Sequence, residues 1–170
     1  MIGCKALTHR QKDIAWMSAP AYLPIKTFLF RRRLIPSAQC PRFQCGNEES
    51  VFHLLWGCSH AKKFWDLLRP FLKCIAGITM LSYEMLLYGF SLPTPALYTL
   101  TAWKLLNCGK ETLWETRNGF LFHQKVWDPY ACRNLCLSKL MTYVHVDKAR
   151  LGEQRAHEIW QMAKWRDWIT

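Results

Sequence analysis

The sequence predicts an all-α fold with one small irregular segment inserted between its helices. Apolar residues recur at helical spacing along most of the chain, whereas the alternating pattern of a half-buried strand is almost absent. Apolar residues make up 51% and aromatic residues 14% of the 170 positions, which is enough to build a core rather than a disordered tail. The irregular segment is indicated by three cysteines and one histidine within 19 residues.

This cluster consists of Cys40, Cys45, His53 and Cys58 in the spacing C-x4-C-x7-H-x4-C. Three thiolates and one imidazole suit a tetrahedral Zn²⁺, and four protein ligands fill its coordination shell. A full shell leaves no position for water or substrate, so the predicted zinc site is structural. The alternative is a loop with three incidental thiols and a core histidine. We therefore expect a helical domain with a CCHC zinc knuckle, residues 40–58, inserted between helices.

Two short helices are predicted before the knuckle. Residues 11–19 have a weak amphipathic pattern that the following proline ends. Pro24 suits the first turn of a second helix, whose apolar stripe extends to Leu34. This helix closes on three cations that suit the negative end of a helix dipole, Arg31, Arg32 and Arg33.

A tight turn at Gly46 is predicted inside the knuckle, and a short helix is predicted to carry the last two ligands to one metal. Ser59 is expected to cap a helix over residues 61–76, and Pro70 to kink or split that helix. The apolar spacing of this helix predicts five inward residues, Phe64, Leu67, Leu68, Phe71 and Leu72.

The C-terminal part begins with a connection over residues 77–95 that contains one short helix around residues 83–88. A long helical pattern follows from 96 to about 122, with Gly109 weakening its middle. Another helix is predicted to begin at Asp128-Pro129 and to end near residue 146. Residues 149–168 are predicted to form an amphipathic C-terminal segment. We divide the chain into residues 1–76, the basic helices plus the knuckle, and 77–170, a helical region packed on the first part as one unit.

Positive charge is concentrated around the knuckle. The net charge is +11; residues 1–73 hold 12 Lys or Arg against 4 Asp or Glu, and residues 74–170 hold 11 against 8. Such a field favours a polyanion, either RNA, DNA or an anionic membrane face. The alternative is a solvated basic surface that maintains solubility.

Sequence patterns for export or membrane insertion are absent. No apolar run approaches the 18 residues needed to span a bilayer, and the first residues lack the apolar core of a signal peptide. Eight cysteines in a chain that is not secreted are expected to be metal ligands and reduced core thiols. We therefore expect an intracellular protein, nuclear and/or cytoplasmic, with no membrane partner.

Aromatic and basic residues near the cluster are candidates for nucleic-acid contacts. In zinc knuckles that bind single strands, an exposed aromatic stacks on an unpaired base while cations meet the phosphates. Phe43, between two ligands, is the preferred stacking residue, and the alternative is that it packs around the metal; Trp56 and Trp65 are expected to pack. The predicted phosphate contacts are Arg31, Arg32, Arg33, Arg42, Lys62 and Lys63.

The remaining candidate sites are weak, and we predict no catalytic residues. Cys132 and Cys136, spaced to face one side of a helix, lack a second ligand pair and are expected to be core thiols. His60 could replace a zinc ligand but has less suitable spacing than His53. Cys74, lying in an apolar helix, is not placed near a base by any pattern in the sequence.

Residues around the cluster match a known arrangement. The matching features are Asp13-x-x-Trp16, the run Leu23-Pro24-Ile25-Lys26, the basic helix end, and Glu49, Leu54, Leu55 and Trp65 around the ligands. With these features, residues 8–65 resemble the zinc-binding segment that follows the reverse transcriptase of LINE-type (non-LTR) retrotransposons. Trp114-Glu115-Thr116-Arg117-Asn118, followed by Phe120, resembles a Trp-x-x-Arg-Asn helix found after this segment. The resemblance is looser to about residue 125 and absent beyond.

The resemblance implies a C-terminal module that grips the element's RNA or target DNA while the polymerase copies. The chain itself has no Tyr-x-Asp-Asp and no adjacent aspartate pair to hold two Mg²⁺ for nucleotidyl transfer. We therefore expect a non-enzymatic, zinc-stabilised module for RNA or single-stranded DNA, with the reverse transcriptase portion of a retroelement protein as a second candidate partner. The alternatives are a helical protein-interaction module with a purely structural zinc site, or a non-functional retroelement remnant.

Overall fold

A computed structural model describes residues 7–89 and 96–160, and the all-α prediction is confirmed for this part of the chain. No strand occurs in it; the only β-type pairing there is a single bridge between Gln39 and Glu48. A π-helical turn, His53–Gly57, precedes the third helix. The helices are α1 His9–Ser18, α2 Lys26–Arg31, α3 Ser59–Ala76, α4 Tyr83–Tyr88, α5 Ala96–His123, α6 Pro129–Leu151 and α7 Glu153–Trp160. None of these described helices has the length and hydropathy to cross a membrane.

Several helix starts follow from local capping chemistry. Thr8 and Gln11 form a reciprocal capping box at the start of α1. Ser82 caps α4 by accepting a hydrogen bond from a backbone N–H three residues later. Asp128 caps α6 in the same way, with proline at the first helical position. The predicted helices at 83–88 and after Asp128-Pro129 are therefore confirmed.

Helix α5 lies at the centre of the molecule and contacts α1, α3, α6, α7 and the π-helical turn. One continuous core, from Leu23 to Trp160, is shared by the π-helical turn, α3, α5, α6 and α7, and Met17 of α1 packs against it. Gly109, the glycine predicted to weaken α5, does not interrupt the helix. The Trp65 ring of α3 packs against it. A Cβ atom on Gly109 would lie 2.4 Å from Trp65 Cη2. Close approach of α3 and α5 therefore requires glycine at this position.

One expectation about α3 was wrong, and the structure excludes one of the two alternatives for another. Ser59 does not cap the helix; it is an exposed residue of the first turn, and the residue at the N-cap position is Cys58. Pro70 does not split the helix, which is continuous through it. Pro70 and Asp66, one turn earlier, are both exposed, so water can replace the missing backbone hydrogen bond. Four of the five predicted inward residues are buried, and Leu67 is partly exposed.

The ends of two other helices also differ from expectation. Helix α2 ends at Arg31, and Leu34, predicted to continue its apolar stripe, is 66% exposed because the chain turns at Arg33 with a φ of 58°. Helix α6 runs to Leu151 rather than to about 146, and Gly152 separates it from α7. The predicted segment beyond residue 160 lies outside the described residues.

Candidate metal centre

The four predicted ligands lie together. The Sγ atoms of Cys40, Cys45 and Cys58 and a ring nitrogen of His53 are all within 4.8 Å of one another. Cys58 and His53 are buried, and the other two cysteines are half-buried. Within the described residues, this is the one group of metal-binding side chains that converges in this way.

A short hairpin-like turn positions Cys40 and Cys45. The Cys40 N–H donates to the carbonyl of Asn47 at 2.7 Å, and the Cys45 N–H donates to that of Arg42 at 3.2 Å. The chain reverses through a φ of 57° at Gln44 and of 64° at Gly46. The predicted tight turn at Gly46 is confirmed, because its φ lies in the left-handed region, which glycine adopts at no steric cost.

The short helix predicted to bring His53 and Cys58 toward one metal is present, and it is a π-helical turn. The Cys58 N–H donates to the His53 carbonyl at 2.8 Å, five residues back along the chain. In an α-helix of 3.6 residues per turn, side chains five apart would diverge by about 140°. The wider turn brings both side chains to the same side, which is what a shared metal requires.

The electrostatics of the cluster favour a bound cation. A hydrogen bond from the Cys40 thiol lowers the pKa of Cys58 to about 4, with burial opposing the shift. The backbone N–H groups of His60 and Ala61, in the first turn of α3, lower the Cys58 pKa further. The same pairing raises the pKa of Cys40. The lowered pKa favours the thiolate form of Cys58, which is the form in which cysteine binds metal.

The spacing of the ligand atoms fits zinc. Tetrahedral zinc with Zn–S bonds of about 2.3 Å and Zn–N bonds of about 2.0 Å places two sulfurs about 3.8 Å apart and a sulfur and a nitrogen about 3.5 Å apart. The Cys45 and Cys58 sulfurs are separated by 3.8 Å. Cys45 Sγ lies 3.1 Å from His53 Nε2, slightly closer than a filled site would hold them. The cluster is therefore compatible with zinc.

A buried ion pair joins the 40–58 segment to α5. Arg117 donates from Nε to Glu49 Oε1 at 2.9 Å and from Nη2 to Glu49 Oε2 at 2.5 Å. The Lys26 N–H, at the start of α2, donates to the same carboxylate at 2.8 Å. Glu49 is fully buried and Arg117 is 2% exposed. This pair therefore locks the segment, α2 and α5 together.

This ion pair assigns a structural role to two residues that the sequence had marked only by resemblance. Arg117 belongs to the Trp-x-x-Arg-Asn run, and its neighbours in that run hold its side chain. Its Nη1 donates to Asn118 Oδ1 at 2.8 Å, and its guanidinium carbon lies 5.1 Å from the centre of the Trp114 ring. Sequence reasoning missed the pairing with Glu49, although both residues stood in matched motifs.

The predicted phosphate contacts differ in how exposed they are. Arg42 is half-buried; its Nη2 donates to the Leu113 carbonyl of α5 at 3.3 Å, and burial lowers its pKa. The Arg32 guanidinium lies over the Phe28 ring, 4.4 Å from its centre. Five of the six side chains are exposed, namely Arg31, Arg32, Arg33, Lys62 and Lys63.

The predicted stacking residue lies at the tip of the hairpin turn. Phe43 is 83% exposed, so it does not pack against the ligand cluster. Trp65 is buried, as expected, and its indole N–H donates to the Leu55 carbonyl of the π-helical turn at 2.7 Å. Trp56 is partly exposed.

Among the described residues, the other cysteines and histidines take no part in the cluster. His60 Nε2 lies 3.3 Å from Cys132 Sγ, on the α6 side of α3, and burial lowers the pKa of His60 to about 4. The Cys136 and Cys108 sulfurs are 3.8 Å apart in the core between α5 and α6. Cys132 and Cys136 are both fully buried, as expected of core thiols.

Comparison with known proteins adds no assignment to this geometry. No protein-family model, curated protein or solved structure matches the chain.

Proposed function

We propose that this protein is a non-enzymatic, zinc-stabilised module that binds RNA or single-stranded DNA, similar to the zinc-binding segment after the reverse transcriptase of LINE-type retrotransposons. The observation that carries the proposal is Phe43, which is 83% exposed between two ligands of a cluster compatible with zinc. An aromatic ring held out by a rigid turn can stack on any unpaired base, because every base has a π-face.

Zinc, when bound, would tie the turn at Cys40 and Cys45 to the π-helical turn and so fix the position of Phe43. The exposed cations on either side of the 40–58 segment would contact the phosphates. The three arginines at 31–33 lie before the segment and Lys62 and Lys63 after it. This arrangement favours binding that depends on charge and stacking rather than on a specific duplex sequence.

Salt dependence tests the nucleic-acid proposal. Anisotropy titrations with a labelled single-stranded RNA between 50 and 200 mM salt should show affinity that falls with salt, by about 0.7 log units per tenfold salt for each phosphate contact. The variant Arg32→Gln/Arg33→Gln should reduce this slope, whereas Arg150→Gln/Arg155→Gln, at exposed positions of α6 and α7, removes the same charge and serves as the control. RNA affinity that ignores salt would contradict the proposal.

The stacking role has its own test. Phe43→Ala should weaken RNA binding by roughly 1–3 kcal/mol, the range for one base stacked on an aromatic side chain. Phe122→Ala removes a ring that is 72% exposed at the end of α5 and serves as the control. If Phe43→Ala and Phe122→Ala bind RNA with equal affinity, Phe43 does not stack on a base.

Metal content tests the zinc site independently of RNA. Purified protein should contain one equivalent of zinc, and Cys45→Ser should lose the metal and unfold at lower urea concentration. Cys74→Ser, a half-buried cysteine outside the cluster, is the matched control. A Cys45→Ser variant that retains both zinc and stability would contradict a structural site.

One observation favours the alternative of a helical interaction module. Phe122, Val126 and Tyr130 are 72%, 76% and 56% exposed around the connection between α5 and α6. The partner implied by the resemblance is the reverse transcriptase portion of a retroelement protein. Under this alternative, Val126→Ser/Tyr130→Ser abolishes association with that partner, while charge removal at residues 31–33 leaves it intact.

A further inference from the structure

A second feature of the molecule that could hold a ligand is a cavity of about 260 Å³ between the π-helical turn and the outer side of α3. The apolar lining of the cavity consists of Trp65 and Leu72, which are buried, and of Trp56 and Leu81, which are half-buried. Three exposed charged residues stand at its mouth, Lys62, Asp66 and Arg69.

The size and walls of the cavity suit one planar ring system. Pockets for drug-sized ligands begin at about 300 Å³, so this cavity is too small for most of them. Its lining includes the half-buried indole of Trp56, and an indole face can stack on any nucleobase. Trp56 lies between the ligands His53 and Cys58 in sequence, so the π-helical turn that carries one of these ligands also contributes to the lining of the cavity.

The charges at the mouth favour an anionic polymer over an apolar peptide. Asp66 is paired with Arg69, whose Nη2 donates to Asp66 Oδ1 at 2.6 Å, and Lys62 is left as the excess cation. Lys62, Arg69 and Lys73 are spaced to share one side of α3, over about 16 Å at 1.5 Å per residue. Asp66 adds a carboxylate that can accept from the exocyclic amino group of a base.

We propose that this cavity binds one unpaired base of a single-stranded nucleic acid, with the neighbouring phosphates on Lys62, Arg69 and Lys73. The inference rests on the proposed function, to which it adds a base pocket separate from Phe43. The proposal places the single-stranded nucleic acid along the outer side of α3.

Filling the cavity tests the proposal without changing charge. In the zinc-loaded full chain, Leu81→Trp should weaken binding of a labelled eight-residue oligocytidylate at least roughly 5-fold, the lower end of the effect of one stacked base. Leu151→Trp makes the same replacement at an exposed site at the end of α6 and should leave affinity unchanged. Asp66→Ala, which removes the acceptor, should reduce the preference for oligocytidylate over oligouridylate, which lacks the amino group.

A second measurement does not depend on whether the filled variant folds. In the wild-type protein, the NMR signal of the Trp56 indole N–H should shift on titration with cytidine 5′-monophosphate but not with ribose 5-phosphate. A shift with N-acetyltryptophanamide and none with the nucleotide would overturn the proposal in favour of a peptide pocket.

The two proposals fail in different ways. Equal oligocytidylate affinity of Leu81→Trp and wild type, at matched zinc content and unfolding midpoint, would overturn the base pocket alone if binding still falls with salt. Absence of any salt-dependent binding by the wild type would overturn the proposed function together with the pocket.

Discussion

The buried Glu49–Arg117 pair provides the sharpest test of how the 40–58 segment is held. Arg117→Met removes the guanidinium and keeps most of the side-chain volume. The Glu49 carboxylate then remains fully buried with the Lys26 N–H as its one other donor described above. A buried charge without its partner is costly, because desolvation is no longer offset by attraction.

The free energy of unfolding that Arg117→Met is expected to lose is large relative to the stability of a domain. Breaking a buried ion pair from one side costs roughly 3–5 kcal/mol, out of a total of about 5–15 kcal/mol for a typical domain. Glu49→Gln/Arg117→Met removes both charges, and we expect it to be within about 2 kcal/mol of the wild type. The two single substitutions should therefore be strongly non-additive.

Urea unfolding of the wild type, both single variants and the double variant at fixed zinc concentration measures this coupling. Zinc affinity should fall with stability in Arg117→Met, because Glu49 lies in the segment that carries the ligands. A cost below about 1 kcal/mol for Arg117→Met, or a double variant less stable than either single one, would refute the reasoning.

Three further predictions concern helix packing, buried charge and capping. Gly109→Ala should destabilise the protein by roughly 1–3 kcal/mol because its Cβ meets Trp65, whereas Gly119→Ala on the same helix should be neutral or stabilising, as thermal unfolding can check. Burial lowers the pKa of Lys110 from 10.5 to about 7, because the charged ammonium is penalised in the core. Below pH 7, Lys110→Met should therefore raise the free energy of unfolding by roughly 5 kcal/mol. That gain should shrink as the pH rises from 7 toward 10.5, where the unfolded chain also loses the proton; urea unfolding at pH 6 and 9 measures it. Asp128→Ala, which removes the α6 cap, should cost about 1 kcal/mol in the same assay.

Most helices could be predicted from the sequence because their signals are local. Apolar periodicity indicated α3 and α5, and the Asp128-Pro129 cap indicated the start of α6. The ligand cluster was equally visible, since metal-binding residue types at short spacing are rare by chance. These features depend on neighbours within a few turns of the chain, which a single sequence displays directly.

Other features depend on tertiary contacts and could not be predicted in this way. Over five residues an α-turn and a π-turn have similar apolar patterns, so nothing in the sequence selected the wider turn at His53. Propensity alone marks Gly109 as a weak point, and only the Trp65 ring explains it. Glu49 and Arg117 are 68 residues apart, and a single sequence contains no sign that they pair.

That separation has a consequence for the order in which the protein folds during synthesis. Glu49 emerges from the ribosome long before Arg117, and Gln11 of α1 donates to Glu111 across 100 residues of chain. Until α5 is made, the Glu49 carboxylate has no guanidinium to accompany it into the core and remains hydrated. Neither Glu49 nor Gln11 can therefore make its contact to α5 until α5 has been synthesised. Metal captured early by the cysteines would hold a loop whose final docking depends on a helix not yet translated.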